Sequence, residues 1–278
     1  MRLETYETET SSVEVARRAA HPALRPYLLA EPEGWAQTRG RSTAELREVP
    51  FPGIPLILNL GAPWAIASAD RSAFEPHDSF LAGLHTRPTF VRGAERWACI
   101  ELRLTPLGAH RVLGLPMHEL ENRTVPLDDV LANTGELTDR LRDARSWTQR
   151  FDLVESFLLR RLDRSGAPEP SLDWAWAHLR RTGGSIPIRA LADDLGWSHR
   201  RLIVRFREQI GVAPKTFARL VRFDRAVSAL RAGRGLAETA FATGYFDQAH
   251  MTRDFHELAG TTPASFAAAT LESGGIAA

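Results

Sequence analysis

The side chains best suited to chemistry cluster in one short segment, GYFDQAHMTRDF, at residues 244–255. This segment carries acids, an amide, a histidine and an arginine, and such groups serve in general acid–base catalysis. On one face of a helix, the same groups could instead bind a charged partner. Residue types alone do not distinguish a catalytic cluster from a binding face. The distinction depends on the helices that position these residues.

No other segment has the pattern of a catalytic, metal or cofactor site. The nine histidines form neither H-x-H nor H-E-x-x-H, and the single cysteine, Cys99, excludes an internal disulfide framework. The G-x-S-x-G, P-loop and dinucleotide-binding glycine patterns do not occur in the sequence. His77 and His85 flank a predicted strand and could line a pocket, although surface or turn positions are favoured. We therefore predict no catalytic residue, no metal and no cofactor.

An internal repeat organises the C-terminal third of the chain. Residues 188–217 align with residues 236–266, first at an offset of 48 and then, after one inserted residue, at 49. The aligned positions share small or apolar side chains, with glycines at the breaks. A repeat of this kind indicates two copies of one structural unit.

Each copy has the pattern of two helices joined by a tight turn. The shared alanine is small where two helices must approach, and the first shared glycine can adopt the positive φ that ends a helix. Two apolar residues one helical turn apart then face the core. The predicted core residues of the two units are Ala192, Gly196, Leu202, Phe206, Ala240, Gly244, Met251 and Phe255.

This pattern predicts helix-turn-helix units at about 187–209 and 236–258, with a connecting helix at 214–231. Pro214 lies near the start of the connecting helix, where proline is favoured. Two purely structural hairpins are the alternative. Two copies at matched spacing, together with a basic bias, favour DNA binding.

About the last hundred residues resemble the AraC/XylS family of bacterial transcription regulators. The resemblance rests on LADDLGWSHRRLIVRF, GVAPKTF, RFDRAVSAL and LAETAFATGYFDQAHMTRDFHELAGTTPASF. The second half matches the family pattern G[YF]-x-D-Q…F-x-R-x-F…G-x-[ST]-P almost residue by residue. The resemblance implies a two-headed DNA-binding module and an N-terminal domain that senses a ligand or mediates dimerisation. PFPGIPLILNLG, SFLAGL and RLTPLGAHRVLGLPMHELENRTVPL resemble, more loosely, the sensing domain of one subgroup.

The resemblance also implies which residues face DNA bases. They are Gln248, Ala249, His250 and Arg253 in the second unit, and His199, Arg200, Ile203 and Val204 in the first. Arginine can bind guanine and glutamine can bind adenine through two hydrogen bonds each. Val204 stands where the family commonly has arginine, and it aligns with Arg253 of the second copy. We therefore expect the first unit to read shape, phosphates or thymine methyl groups more than guanines.

Four basic residues are candidates for contacts with DNA phosphates: Arg207, Lys215, Arg219 and Arg222. A solvated basic face or an internal ion pair is an equally open interpretation for each. From Ser171 onward the chain has 14 lysine and arginine residues against 10 acidic ones, whereas the whole chain carries only +1. This part is therefore the better match for an anionic partner.

The N-terminal part has the pattern of a small β-domain followed by helices. Ile100, Leu102 and Leu104 alternate with polar residues, as in a half-buried strand, and apolar residues at 128–162 recur at helical spacing. The sequence predicts an α+β fold. A β-barrel or sandwich-like domain with trailing helices spans 1–164, a linker spans 165–170, and an all-α domain spans 171–270.

We predict a cytoplasmic, sequence-specific DNA-binding transcription regulator that is controlled through its N-terminal domain. Its expected partners are double-stranded DNA, a small-molecule effector at residues ~20–125, a second copy of the chain through the helices at 128–162, and RNA polymerase if it is an activator. No membrane-spanning segment is predicted. The alternatives are an enzyme fused to a DNA-binding domain and a ligand-independent DNA-architecture protein.

Overall fold

The N-terminal part of the chain folds around two antiparallel β-sheets. The computed structural model describes residues 1–7, 11–39, 45–93, 97–166 and 169–272. The strands are β1 Arg2–Glu7, β2 Ser12–Arg17, β3 Glu33–Arg39, β4 Glu45–Glu48, β5 Ile54–Asn59, β6 Trp64–Ala67, β7 Glu75–His77, β8 Phe80–Ala82, β9 Thr89–Arg92, β10 Ala98–Leu104 and β11 Thr124–Pro126. One sheet has the order β1-β2-β3-β10-β5-β8-β11, and the other has the order β4-β9-β6-β7.

Strand β10 lies between β3 and β5 and shows how the alternating pattern forms the core. Ile100, Leu102 and Leu104 are buried, whereas Glu101 and Arg103 are more accessible and are joined by a hydrogen bond of 2.8 Å from Arg103 Nε to Glu101 Oε1. One face of the strand thus packs against the protein interior while the other carries charge.

Helices follow the sheets and make up the rest of the chain. They are α1 Pro106–Leu113, α2 Leu127–Val130, α3 Thr134–Asp143, α4 Trp147–Arg164, α5 Pro170–Arg181, α6 Ile188–Asp194, α7 His199–Ile210, α8 Pro214–Arg231, α9 Leu236–Ala242, α10 Gln248–Ala259 and α11 Pro263–Glu272. A 3₁₀ turn, Met117–Leu120, follows α1. The predicted α+β fold is confirmed, with a β-rich N-terminal part and a helical C-terminal part.

Helix α4 packs against the larger sheet. Trp147 Nε1 donates a hydrogen bond to Glu14 Oε1 at 2.6 Å. The indole of Trp147 also lies so close to Gly34 that a Cβ there would be 2.5 Å from the ring. Phe151 and Leu158 on the same stripe are buried. The sequence predicts the helices at 128–162 as a candidate dimer element. In the structure, their apolar stripe is largely covered by the chain itself.

One hydrophobic cluster continues from the sheets through α4 into the C-terminal helices. Helix α4 ends at Arg164 and α5 begins at Pro170, so the 165–170 segment connects two helices whose apolar faces share this cluster. The division of the chain into domains at this linker stays a prediction. None of the described helices combines the length and the apolar character needed to cross a membrane.

His77 and His85 do not have the exposed positions that the sequence favoured. The side chain of His77 is buried, and Nε2 of the half-buried His85 has no hydrogen-bond partner in the described part of the chain. Burial lowers the pKa of His77 and lowers that of His85 to about 4. Burial also raises the pKa of the Cys99 thiol, so this cysteine stays protonated and unreactive.

Candidate nucleic-acid interface

Helices α6 and α7 form the first helix-turn-helix unit. Gly196, between the two helices, has a φ of +64°, a conformation that glycine adopts without strain. Ser198 caps α7 by accepting a hydrogen bond from the Arg201 amide at 3.2 Å. Gly211 ends α7 in the left-handed region. The short turn and the two caps fix where α7 begins and ends.

Helices α9 and α10 repeat this arrangement. Gly244 has a φ of +84° in the turn, and Gly260 ends α10 with a φ of +64°. The Asp247 carboxylate accepts a hydrogen bond from the His250 amide at 2.6 Å. Asp247 thus caps α10, and this acid of the opening segment has a structural role.

The side chains that align between the repeats form the interiors of the two units. Ala192, Leu202 and Phe206 are buried in the first, and their counterparts Ala240, Met251 and Phe255 are buried in the second. The core continues into α8 through two edge-to-face ring pairs. Phe206 contacts Phe217 at a centroid distance of 5.7 Å, and Phe255 contacts Phe223 at 4.8 Å. Helix α8 therefore joins both units into one packed body.

The predicted base-facing residues of the second unit lie together on the outer side of α10. Gln248, Ala249 and Arg253 are exposed. His250 is half-buried because its ring packs against Tyr245 at 5.1 Å, nearly perpendicular to it. In the part of the chain that the structure describes, the Arg253 guanidinium has no hydrogen bond or ion pair, so it is available to an external acceptor.

The first unit presents a different face. His199 and Arg200 are exposed on the first turn of α7, Ile203 is half-buried, and Val204 is 55% exposed. Arg205 is turned toward α5, where Glu169 accepts from its Nη2 at 2.7 Å, and it also pairs with Glu208. Val204 thus lies on this face at the position that Arg253 has in the second unit, and the expected difference in how the two units read DNA stays a prediction.

The four predicted phosphate contacts divide into two groups. The guanidinium of Arg219 pairs with Asp254 at 2.7 Å and with Glu257 at 2.5 Å, and that of Arg222 lies 5.3 Å from the Tyr245 ring centre. These two arginines hold α8 against the second unit. For Arg219, the structure thus shows the internal ion pair rather than a free basic side chain. Lys215 and Arg207 are both exposed, so both can approach a phosphate.

Tyr245 and Asp254 form a buried polar site beneath α10. Burial, reinforced by the nearby negative charge of Asp254, raises the pKa of the Tyr245 hydroxyl. Because Arg219 Nε donates to Asp254 Oδ1, α10 is tied to α8 through a side chain that is almost wholly inaccessible to water. The orientation of the α10 outer face is therefore set by side chains on its inner face.

Two features of the interface were missed by sequence reasoning. The first is Phe246, which is 93% exposed and stands directly before the Asp247 cap. The sequence signal was weak, because Phe246 follows the aromatic Tyr245, which is buried. The second feature is an ion pair of 3.5 Å between Arg207 of α7 and Glu121 of the N-terminal part. Sequence spacing gives no sign of this contact.

The comparisons with known proteins agree with this architecture. Residues 191–269 match the family model described as a helix-turn-helix domain. The uncharacterized HTH-type transcriptional regulator YbfI of Bacillus subtilis (strain 168) is 32% identical over 67 residues, which is 24% of this chain and 24% of that relative. This chain thus matches about a quarter of the length of that relative.

Two solved structures are similar over different shares of the chain. Unsaturated-fatty-acid-bound ToxT from Vibrio cholerae strain SCE256 aligns with 94% of this chain and 96% of its own, at 11% identity and a TM-score of 0.48. The xylose-binding transcription activator xylR aligns with 44% of this chain and 38% of its own, at 18% identity and a TM-score of 0.34. From the family model and the packed tandem units, residues 191–269 form a helix-turn-helix domain of the AraC type, as this part of the sequence predicted.

Proposed function

We propose that this protein is a sequence-specific DNA-binding regulator of transcription. The observation that carries the proposal is the outer face of α10, where Gln248 and Arg253 are exposed on a capped, rigidly supported helix. Nearby arginines such as Arg219 are held in internal ion pairs, whereas Arg253 has no such partner among the described residues. A guanidinium presented in this way can bind O6 and N7 of a guanine in the major groove.

The two units are proposed to contribute unequally to sequence recognition. Helix α10 would read bases through Arg253 and Gln248, with His250 beside them. Helix α7 would read thymine methyl groups or groove shape through Ile203 and Val204, with His199 and Arg200 on its first turn. Lys215 and Arg207 are proposed to contact phosphates, which set the position of the protein on the duplex without specifying sequence.

Regulation is proposed to act through the contact between the N-terminal part and α7. The 3₁₀ turn and α1 pack against α7, and a Cβ added at Gly211 would lie 3.2 Å from the Met117 carbonyl oxygen. An effector at residues ~20–125 that favours a different packing of this region would change how α7 is presented to DNA. A second copy of the chain and RNA polymerase remain further proposed partners.

The experiment that tests the proposal compares Arg253→Ala with Arg253→Lys. After a binding site is selected from random duplexes, affinities are measured for the chosen site and for single-base variants of it. We expect Arg253→Ala to lose about 1–3 kcal/mol of binding free energy and to relax the preference at one guanine. Lysine keeps the charge but loses the paired hydrogen bonds, so Arg253→Lys should relax the preference with a smaller loss of affinity.

Unchanged binding by both variants would overturn the assignment of Arg253. Equal losses on every duplex would place Arg253 at a phosphate instead, because a phosphate contact carries no sequence information. If random-duplex selection enriches no sequence, the proposal of sequence-specific binding fails as a whole.

A further inference from the structure

We propose that the cleft between α3 and α4 binds a compact anion that carries two or more negative charges. The cleft has a volume of about 190 Å³ and lies on the N-terminal part of the chain, apart from the reading helices. Four arginines, Arg140 of α3 and Arg160, Arg161 and Arg164 of α4, line it. A single carboxylate, that of Glu136, is part of the same lining. The charge of the cleft is therefore strongly positive.

Helical geometry explains why these arginines converge. Arg160 and Arg164 are four residues apart on α4, and side chains at this spacing lie on the same face of a helix. Arg140 reaches the cleft from α3, the helix that precedes α4. Two arginines at this spacing repel each other and cost helix stability. An anion between them would turn this repulsion into attraction.

Three of the four cleft arginines differ from other arginines in the same helices, because their side chains have no partner among the described residues. The side chains of Arg140, Arg160 and Arg164 form no ion pair or hydrogen bond with any described residue. By contrast, Arg142 of α3 donates to both carboxylate oxygens of Asp78 at 2.9 Å. The chain thus neutralises an arginine just outside the cleft and leaves those within it available. Planar guanidinium groups suit carboxylate and phosphate oxygens because they donate two parallel hydrogen bonds.

The base of the cleft is rigid. Leu137 and Phe157, which also line it, are buried. Arg161 is held in place because its Nε donates to the Val112 carbonyl oxygen at 3.2 Å. At the other end, Asn133 directly precedes α3 in the left-handed region, and its side chain forms no capping bond in the described part of the chain. The amide groups of the first turn of α3 therefore add a partial positive charge at the edge of the cleft.

The size of the cleft selects the class of ligand. Sites for drug-sized molecules are typically about 300–1,000 Å³, and this cleft is smaller. A ligand with several negative charges on few atoms satisfies both the volume and the number of arginines. Pyrophosphate and citrate share this chemistry, one with phosphate and the other with carboxylate groups, and they serve as the two probes.

Calorimetric titration of the full chain with pyrophosphate and with citrate, at constant ionic strength, tests the proposal. We expect saturable binding of at least one probe at one site per chain, and the tighter probe identifies the preferred group. The double variant Arg160→Gln/Arg164→Gln should weaken binding at least tenfold. Arg145→Gln is the matched control, because Arg145 is exposed between α3 and α4 but does not line the cleft. The affinity of the Arg145→Gln variant for the probe should stay within twofold of the affinity of the unsubstituted chain.

Three results would overturn the proposal. The first is the lack of saturable heat for both probes, and the second is equal weakening by the double variant and the control, which would indicate a general ionic effect. The third is a loss of non-specific DNA binding in the double variant with no binding of either probe, which would assign these arginines to a nucleic-acid surface. A thermal melt followed by circular dichroism checks folding. If the double variant is unfolded, the single variant Arg140→Gln takes its place under the same criteria.

Discussion

Phe246 is a large apolar residue whose side chain is 93% exposed. It precedes the Asp247 cap, so it lies at the end of α10 that a recognition helix directs toward base edges. A phenyl ring at this position can contact the methyl group of a thymine. The outer face of the second unit would then combine a polar contact from Arg253 with an apolar one from Phe246.

We expect Phe246→Ser to weaken specific DNA binding by about 1 kcal/mol while stability changes by less than about 0.5 kcal/mol, because the ring packs on little in the free protein. Binding is measured on the selected site and on copies in which single thymines are replaced by deoxyuridine, which lacks the methyl group. At the contacted position the two changes should not add, since each removes the same contact. Additive losses at every thymine would contradict the contact. Phe241→Ser, an equally exposed change on α9, is the control.

At the scale of elements, the end of α7 is held by the N-terminal part of the chain. The Arg207–Glu121 pair is partly exposed on both sides, so its own energy is small. Its position matters more than its strength, because Glu121 places a negative charge beside a helix that is proposed to approach DNA phosphates. We therefore expect the Glu121 carboxylate to oppose DNA binding in two ways: it occupies Arg207, and its negative charge repels the phosphates.

We expect Glu121→Gln to raise DNA affinity by up to about fivefold, corresponding to the 0–1 kcal/mol of an exposed ion pair. Fluorescence anisotropy at several salt concentrations measures the effect, and the dependence on salt should become steeper as Arg207 gains a phosphate. Glu119→Gln is the control. It removes the same charge two residues away, and the exposed Glu119 side chain has no ion pair with any described residue. Equal gains from both variants would mean that net charge, rather than the release of Arg207, governs the affinity.

Local sequence patterns predicted the strands and helices, but they did not predict the side-chain contacts between them. The alternation of Ile100, Leu102 and Leu104 predicted β10, and the 48-residue repeat predicted both helix-turn-helix units, because periodicity reports which face of an element is buried. The partner of Arg219 lies 35 residues away in sequence, and that of Arg207 lies in another part of the chain. Such ion pairs depend on how the helices and strands pack, and this packing cannot be read from the spacing of residues along the chain.

The same limit applies to the arginine cleft. The apolar residues at 128–162 predict amphipathic helices whose stripe is either a dimer element or a face that packs on the β-domain. The structure directs that stripe inward, so the polar side that remains brings Arg140 near Arg160 and Arg164. A basic cleft formed from two helices becomes visible only when the angle and separation of those helices are known.

At the scale of the whole molecule, stability should depend on pH through His85. Its folded-state pKa of about 4 is below the ordinary value of 6.5, so the unfolded chain binds a proton that the folded chain does not. The stabilisation is therefore fully present above pH 6.5 and is lost as pH falls from 6.5 toward 4. From pH 7 to pH 5 we expect His85 to account for a loss of roughly 2 kcal/mol in the free energy of unfolding.

Urea unfolding of the unsubstituted chain and of His85→Gln at both pH values isolates this contribution. The variant should lose less stability between pH 7 and pH 5, because glutamine does not titrate, while the contribution of all other groups is shared. An identical loss in both proteins would show that other groups, such as carboxylates, cause the whole pH dependence.

The packing of α7 against α1 and the 3₁₀ turn also has a consequence for the kinetics of association. The outer face of α10 is exposed, whereas the end of α7 packs against α1 and the 3₁₀ turn. We expect full engagement of α7 with DNA to require this contact to open. Binding then becomes a gated reaction in which encounter through α10 is followed by a unimolecular opening step. The observed rate should rise with DNA concentration and level off at the opening rate, and a ligand that loosens the N-terminal contact should raise that plateau.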